Sequence, residues 1–397
     1  MNQSFIPEQA PAVAFDAWPL WRLGFRPFYL LASIAIVILV PLWLVVFTGH
    51  AEIHSGLSPA NWHGHEMVFG VVTAVIVGFL FTAGKTWTGR PTPRGGQLFF
   101  LALLWLVTRI AGVLGPADLF AWLDIAFLPL CVVLFLDVLT KSDNQRNYIV
   151  AGILGLIALA NLAFHVANWG IASFPAAQAL KAGVGGLVLM ETLIAGRVLP
   201  FFTRNVNPGL DNMVPAWREK VLAATSVAAI GSWLTDASAM LAVPACLAAA
   251  GLHGWRLLTW RPQAAKGRPI LWSLYLAYVW IPLGFGLLAL ARWRSGTDSG
   301  ALHAFTVGAT GGLLIAMMTR TARGHTARQL QAGQAEKRAY LLVAAAALSR
   351  VAAPYFAPAV YEPALFASGA AFASAFAIYA WVYVPWLTAP RLDGKDG

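Results

Sequence analysis

Trp62-His63-Gly64-His65-Glu66-Met67 sets two imidazoles and a carboxylate at the start of an apolar run long enough to cross a bilayer. Ionisable groups at the edge of hydrocarbon are expensive, and they persist where they are paired, bound to a metal or lining a cavity. Imidazole suits copper, iron, zinc or haem iron, whereas magnesium and calcium take oxygen ligands. His63 and His65 are therefore candidate ligands of a metal or haem, together with His165 and His303, which open or close other apolar runs. Glu66 is the candidate acid–base residue, placed to orient a ligand imidazole or to accept a proton.

The elements that carry these residues follow from composition. The 397 residues are 59% hydrophobic and 11% charged, against about 25% charged in an ordinary soluble domain. A membrane helix needs roughly 20 apolar residues. Candidate spans lie near 27–47, 63–83, 96–114, 117–139, 148–168, 176–196, 218–235, 237–259, 269–291, 299–319, 338–353 and 359–388, with the seventh and eleventh the weakest. The runs are continuous rather than alternating, which argues against a membrane barrel. The expectation is an all-α polytopic bundle of about twelve helices forming one membrane domain over 1–397, with a segment 1–26, a bundle 27–388 and a tail 389–397.

The net charge of +10 has a topological reading, and nucleic acid is not needed to explain it. One set of loops holds Lys85, Arg90, Arg94, Lys141, Arg146, Arg204, Arg218, Lys220, Arg261, Lys266, Arg268, Arg328 and Lys337 among others, whereas the other set holds only Arg292, Arg294 and Arg350. The positive-inside bias makes the first side cytoplasmic, and Arg22, Arg26, Arg391 and Lys395 put both termini there. Arg22 and Arg26 precede a full-length span with no nearby A-x-A-like site, so the first helix is read as a retained anchor and not a signal peptide.

With that topology, His63, His65, His165 and His303 share the outer half on the second, fifth and tenth helices, and His50 and His54 lie in the outer loop; only His253 and His325 fall on the cytoplasmic side. Helical spacing puts His63, Glu66, Met67 and Gly70 on one face and His65 roughly 200° away. Both imidazoles reach one metal only if the helix starts irregularly; otherwise they serve two centres. Asn161, His165 and Asn168 form a polar stripe on the fifth helix, as do His303, Thr306 and Thr310 on the tenth, with Met317 lower.

Arg109 and Lys181 are buried cations near the outer ends of the third and sixth helices, and they need anions. Asp124 is one choice and haem propionates are another, so both cations count as candidate cofactor-binding residues. Gly183, Gly185 and Gly186 on the sixth helix permit a close neighbour or a flat cofactor, and packing is the commoner role. Cys131 and Cys246 sit inside apolar runs and read as core thiols. Phosphate-cradling loops, zinc-protease helices and nucleophile elbows are not found.

Several motifs together resemble one family. They are Phe25-Arg26-Pro27-Phe28-Tyr29, Trp62-His63-Gly64-His65-Glu66-Met67-Val68-Phe69-Gly70, Trp87-Thr88-Gly89-Arg90-Pro91, Gly196-Arg197-Val198-Leu199-Pro200-Phe201-Phe202-Thr203-Arg204-Asn205, His303-Ala304-Phe305-Thr306-Val307-Gly308 with Met317-Met318-Thr319-Arg320, and Gly324-His325-Thr326. In this order they are similar to NnrS. The resemblance implies a multi-pass protein of the bacterial inner membrane containing haem, of the b type, and copper, and acting in denitrification and the response to nitric oxide. His63, His65, Glu66, His303 and His325 match its motifs, which adds His325 to the candidate metal ligands. The resemblance implies a histidine in many relatives at the position where this sequence has Tyr275.

Haem-copper oxidases also hold a haem between histidines of the second and tenth of about twelve helices, a likeness of fold alone. By that analogy His63 or His65 and His303 would bridge a haem, haem iron would bind nitric oxide, and a nearby copper or second iron would supply the electron or the second binding site, with an electron donor as a further partner. Two rival readings use the same histidines: a transporter of a metal or small molecule with a moving sixth helix, and a haem sensor without turnover.

Overall fold

The structure is a computed structural model, and it describes residues 14–356 and 360–395. Twelve long helices account for almost all of it, with no strand among the described residues. They are α1 (Phe25–Phe47), α2 (Pro59–Thr88), α3 (Gly95–Leu114), α4 (Ala117–Thr140), α5 (Tyr148–Asn168), α6 (Ala176–Val206), α7 (Ala216–Leu234), α8 (Ala239–Thr259), α9 (Pro269–Trp293), α10 (Ser299–His325), α11 (Gln334–Phe356) and α12 (Tyr361–Thr388). Ten of these are long and apolar enough to cross a membrane, so this is a multi-pass membrane protein. The two that fall short are α7 and α11, the pair weakest in the sequence. Each opens on charge: Arg218, Glu219 and Lys220 in α7, Glu336, Lys337 and Arg338 in α11.

Local chemistry sets the ends. Pro59 fits the first helical position of α2, where a missing N–H costs nothing, and the Ser58 side chain accepts from the Asn61 N–H at 3.3 Å. Gly89 ends the helix in the left-handed region at φ 67°. Consecutive helices are mostly neighbours, and α12 returns to pack on α1. Arg26 fastens that closure by donating to the Leu387 and Ala389 carbonyls at 2.8 Å each. The start of α1 and the end of α12 therefore share one face with the Lys- and Arg-rich loops, here called the basic face. The motif histidines other than His325 lie toward the opposite, outer face.

The glycines of α6 serve packing. A Cβ at Gly183 would meet the Phe69 ring at 2.6 Å, at Gly185 the Ile230 side chain at 2.6 Å, and at Gly186 Ile157 at 2.7 Å. Three neighbours are thus pressed against α6, as small residues allow in membranes. Cys131 and Cys246 are free, buried thiols.

Candidate metal centre

Both histidine motifs run into a change of helical pitch. α2 is α-helical to His65 and then adopts π geometry over Glu66–Val72; α10 does the same over Ala304–Gly311, directly after His303. Widened turns of this kind free carbonyls and turn side chains away from α periodicity, and they concentrate at functional sites. At Gly70 the carbonyl accepts from Trp105 Nε1 at 2.9 Å. A side chain there would overlap the Arg109 guanidinium, so glycine lets Arg109 cross α2.

Arg109 crosses to reach a buried polar network held by four helices. From α3 it donates to Glu66 Oε1 at 2.9 Å and to Asp124 Oδ1 on α4. Asp124 Oδ2 lies 3.1 Å from His65 Nε2 and 3.1 Å from His165 Nε2 of α5, and accepts from Asn161 Nδ2 at 2.6 Å. His65 Nδ1 faces Glu66 Oε1 at 3.3 Å. The walls are aromatic: Phe164, Phe120 and Phe69 have ring centroids 4.8, 5.1 and 5.4 Å from that of His65. His65, Glu66, Asp124, Asn161 and His165 are all buried.

Donor counting says what this network lacks. His65 has a carboxylate oxygen against each nitrogen, and neutral imidazole carries only one proton to donate. With both carboxylates ionised, Glu66, Asp124 and Arg109 sum to one negative charge. A single positive charge between His65 Nε2 and Asp124 completes both counts, and either a proton or a monovalent metal ion supplies it. The metal alternative fits the geometry. One ligand atom from each of His65, Asp124 and His165 can be chosen so that all lie within 4.8 Å of one another. Donors about 2 Å from a tetrahedral metal lie about 3.3 Å apart, close to the observed 3.1 Å separations. Glu66 behind His65 Nδ1 then forms the carboxylate–histidine–metal relay that orients a ligand ring.

His63 points elsewhere. Its ring stacks on Trp43 of α1, centroids 4.1 Å apart, and lies within electrostatic reach of His303 on α10 and Arg350 on α11. His303 Nδ1 sits 2.7 Å from the Ser299 carbonyl, to which it donates, leaving Nε2 as a lone-pair donor. His63 Nδ1, Trp43 Nε1 and Arg350 Nη1 are buried with no hydrogen-bond partner among the described residues. Orphaned polar atoms gathered beside a free imidazole nitrogen suit a ligand that brings its own polar groups.

The expected convergence of outer histidines thus resolves into two places, His65 with His165 and His63 with His303. That is the two-centre alternative left open by the 200° spacing. Glu66 departs from the face assigned to it: its carboxylate lies against its neighbour His65, where Arg109 also reaches it. There it holds His65 and Arg109. Arg109 takes its anions from Asp124 and Glu66; Lys181 pairs with Asp298 at 2.8 Å, over the Trp233 ring. His325 closes α10 at the basic face beside Phe25, about 33 Å along the helix from His303 at 1.5 Å per residue, so it shares no metal with the outer set. Asn168 is exposed and leaves the α5 stripe to Asn161 and His165. Tyr275 bonds Thr203 Oγ1 at 2.5 Å and the Trp260 carbonyl at 3.1 Å, and His253 bonds Ser226 and Tyr278.

Asp124 is the candidate ligand that spacing missed, having been read only as a counter-ion for Arg109. The available signal was a carboxylate within a 24-residue apolar helix. Elsewhere a small apolar cavity of about 80 Å³ lies between α1, α2, α6, α9 and α10. Met190, Met317 and Glu191 line it, and no histidine does.

A family model described as NnrS protein matches residues 19–391, nearly the whole chain. No curated protein matches it.

Proposed function

This chain belongs to the NnrS family, and from that premise we propose that it is a haem- and copper-containing protein of the bacterial inner membrane that binds nitric oxide and removes or buffers it. The observation that carries the proposal is the buried set His65, Asp124 and His165. Those three residues would hold copper, and the missing unit charge favours the cuprous ion, to which neutral imidazole binds well. The residues around His63 and His303 fit haem: His303 Nε2 and the His63 ring are the candidate ligands, and Arg350, whose Nη1 is left without a partner among the described residues while Nη2 reaches Ser299 Oγ at 3.5 Å, suits a propionate.

Copper and haem iron each supply a one-electron couple and, with a coordination position left open, a binding point for a small ligand. The protein's own residues do the rest. Arg109 neutralises carboxylates that would otherwise repel one another, Glu66 fixes the proton on His65 Nδ1, and Phe69, Phe120 and Phe164 exclude water. Nitric oxide is small and weakly polar, so an aromatic wall within the bilayer is no barrier to it. By the positive-inside bias the basic face is cytoplasmic, and both candidate centres lie toward the periplasm.

The test is spectroscopic. Reduced, metal-replete protein titrated with nitric oxide should change its visible haem spectrum near stoichiometrically, and turnover with an electron donor should consume the gas. A spectrum indifferent to nitric oxide would overturn this reading in favour of a transporter, and binding without turnover would make the protein a sensor or buffer.

A further inference from the structure

A cavity of about 420 Å³ opens at the basic face, far from both candidate centres, where α9 begins and α10 ends. Three cations from three elements line it: Arg268 just before α9, Arg320 of α10 and Lys337 of α11. No aspartate or glutamate is in the lining. The neighbouring acid, Glu336, is already bound to Arg323, to the Tyr383 hydroxyl at 3.0 Å and to the Gly333 N–H at 2.8 Å. The Arg320 guanidinium lies 3.7 Å over the Phe202 ring and makes no hydrogen bond or ion pair among the described residues. Arg268 uses one nitrogen on Asn207 Oδ1 at 3.0 Å. The remaining walls are uncharged and, apart from Gln331, mostly apolar, Phe202, Ile270, Leu271 and Leu330 among them.

Like charges brought together without an acid raise the potential of the cavity and attract an anion. Pro269, Ile270 and Leu271 are the first turn of α9, whose positive dipole end adds to that field. Arg320 lies five residues before the end of α10, about 8 Å inside it, near the end of a helix long and apolar enough to cross a membrane. At that depth a tetrahedral oxyanion is available from the bilayer, and guanidinium presents paired donors that match phosphate.

We propose that this cavity binds the phosphodiester of an anionic phospholipid, with Arg320 and Lys337 on the phosphate, Arg268 at the rim and acyl chains along Phe202. Basic pockets between helices on the cytoplasmic side recognise lipid headgroups in this manner.

Native mass spectrometry of the purified full-length protein, titrated with phosphatidylglycerol or phosphatidylcholine, tests it. Phosphatidylglycerol should bind at least about tenfold more tightly. The double substitution Arg320→Gln with Lys337→Gln should abolish that preference, whereas Arg320→Lys should keep most of it. Arg218→Gln, a basic-face change outside the cavity, should leave it intact and serves as the control for general charge. A parallel titration with inorganic phosphate separates the sources. Phosphate binding that depends on Arg320, without a preference for the anionic lipid, would overturn the lipid and assign a soluble phosphate compound. Equal binding of both lipids with no phosphate binding, or a preference that survives the double substitution in protein of unchanged melting temperature, would overturn the site itself.

Discussion

Replacing Arg109 by methionine keeps the apolar stem between the Trp105 and Phe120 rings, each centred 5.8 Å from the guanidinium carbon, and removes the charge. Glu66 and Asp124 then face one another's field with no cation, in a site buried by aromatic rings. Breaking a buried pair by deleting one partner costs about 3–5 kcal/mol, because the other charge stays in a medium that cannot solvate it. Here two carboxylates depend on one guanidinium, so the upper part of that range applies, a loss of about three to nearly four powers of ten in the folded-to-unfolded ratio. Adding Asp124→Asn to Arg109→Met removes one stranded charge and should recover about half the loss. The assay is unfolding of detergent-solubilised protein followed by tryptophan fluorescence, run as a double-mutant cycle. Cuprous ion should raise the stability of the Arg109→Met protein more than that of the parent, since it supplies the missing positive charge. An Arg109→Met protein within about 0.5 kcal/mol of the parent, the usual range for an uncoupled surface change, would refute this electrostatic account.

Other consequences can be measured on the same preparations. His303→Ala should lose or strongly shift the Soret band, because an axial ligand sets the iron's spin state; His253→Ala, whose ring serves Ser226 and Tyr278, should not, and equal losses would indicate misfolding. Glu191 is a buried carboxylate on the wall of the apolar cavity with, among the described residues, no cation paired to it and only the Thr310 hydroxyl as a polar neighbour, so Glu191→Leu should stabilise the fold by about 1–3 kcal/mol, and a less stable protein would contradict that. Reporter fusions at residues 143 and 330 should be cytoplasmic and at residue 172 periplasmic; a periplasmic signal at residue 330 would invert the topology and the side of the membrane that both candidate centres face.

Much of the architecture was legible because membrane helices declare themselves by uninterrupted apolar length. The weakness of the seventh and eleventh candidates was legible too, in the charges that open α7 and α11. The site was legible in part. His65 and His165 could be placed at one depth from the order of spans and the basic loops, and Asp124 could be suspected as a partner of Arg109. That Asp124 touches both imidazoles depends on the packing of α2, α4 and α5, which no spacing within one helix reveals. Glu66 turns from the His63 face because Arg109, arriving from α3, and its neighbour His65 draw its carboxylate between them, a pull from another helix that spacing within α2 does not show. Trp43 and Arg350 became visible beside His63 only when α1 and α11 were assembled. Lys181 took Asp298, a loop acid far away in sequence.

The central claim is that His65, Asp124 and His165 hold copper apart from the haem. Copper and iron contents per polypeptide, measured on one purified sample of the parent, Asp124→Asn and His165→Ala proteins together with their visible spectra, test it most directly. The account predicts that both variants lose copper and keep iron and the Soret band. Copper retained in both, or copper and haem lost together in stably folded protein, would contradict it.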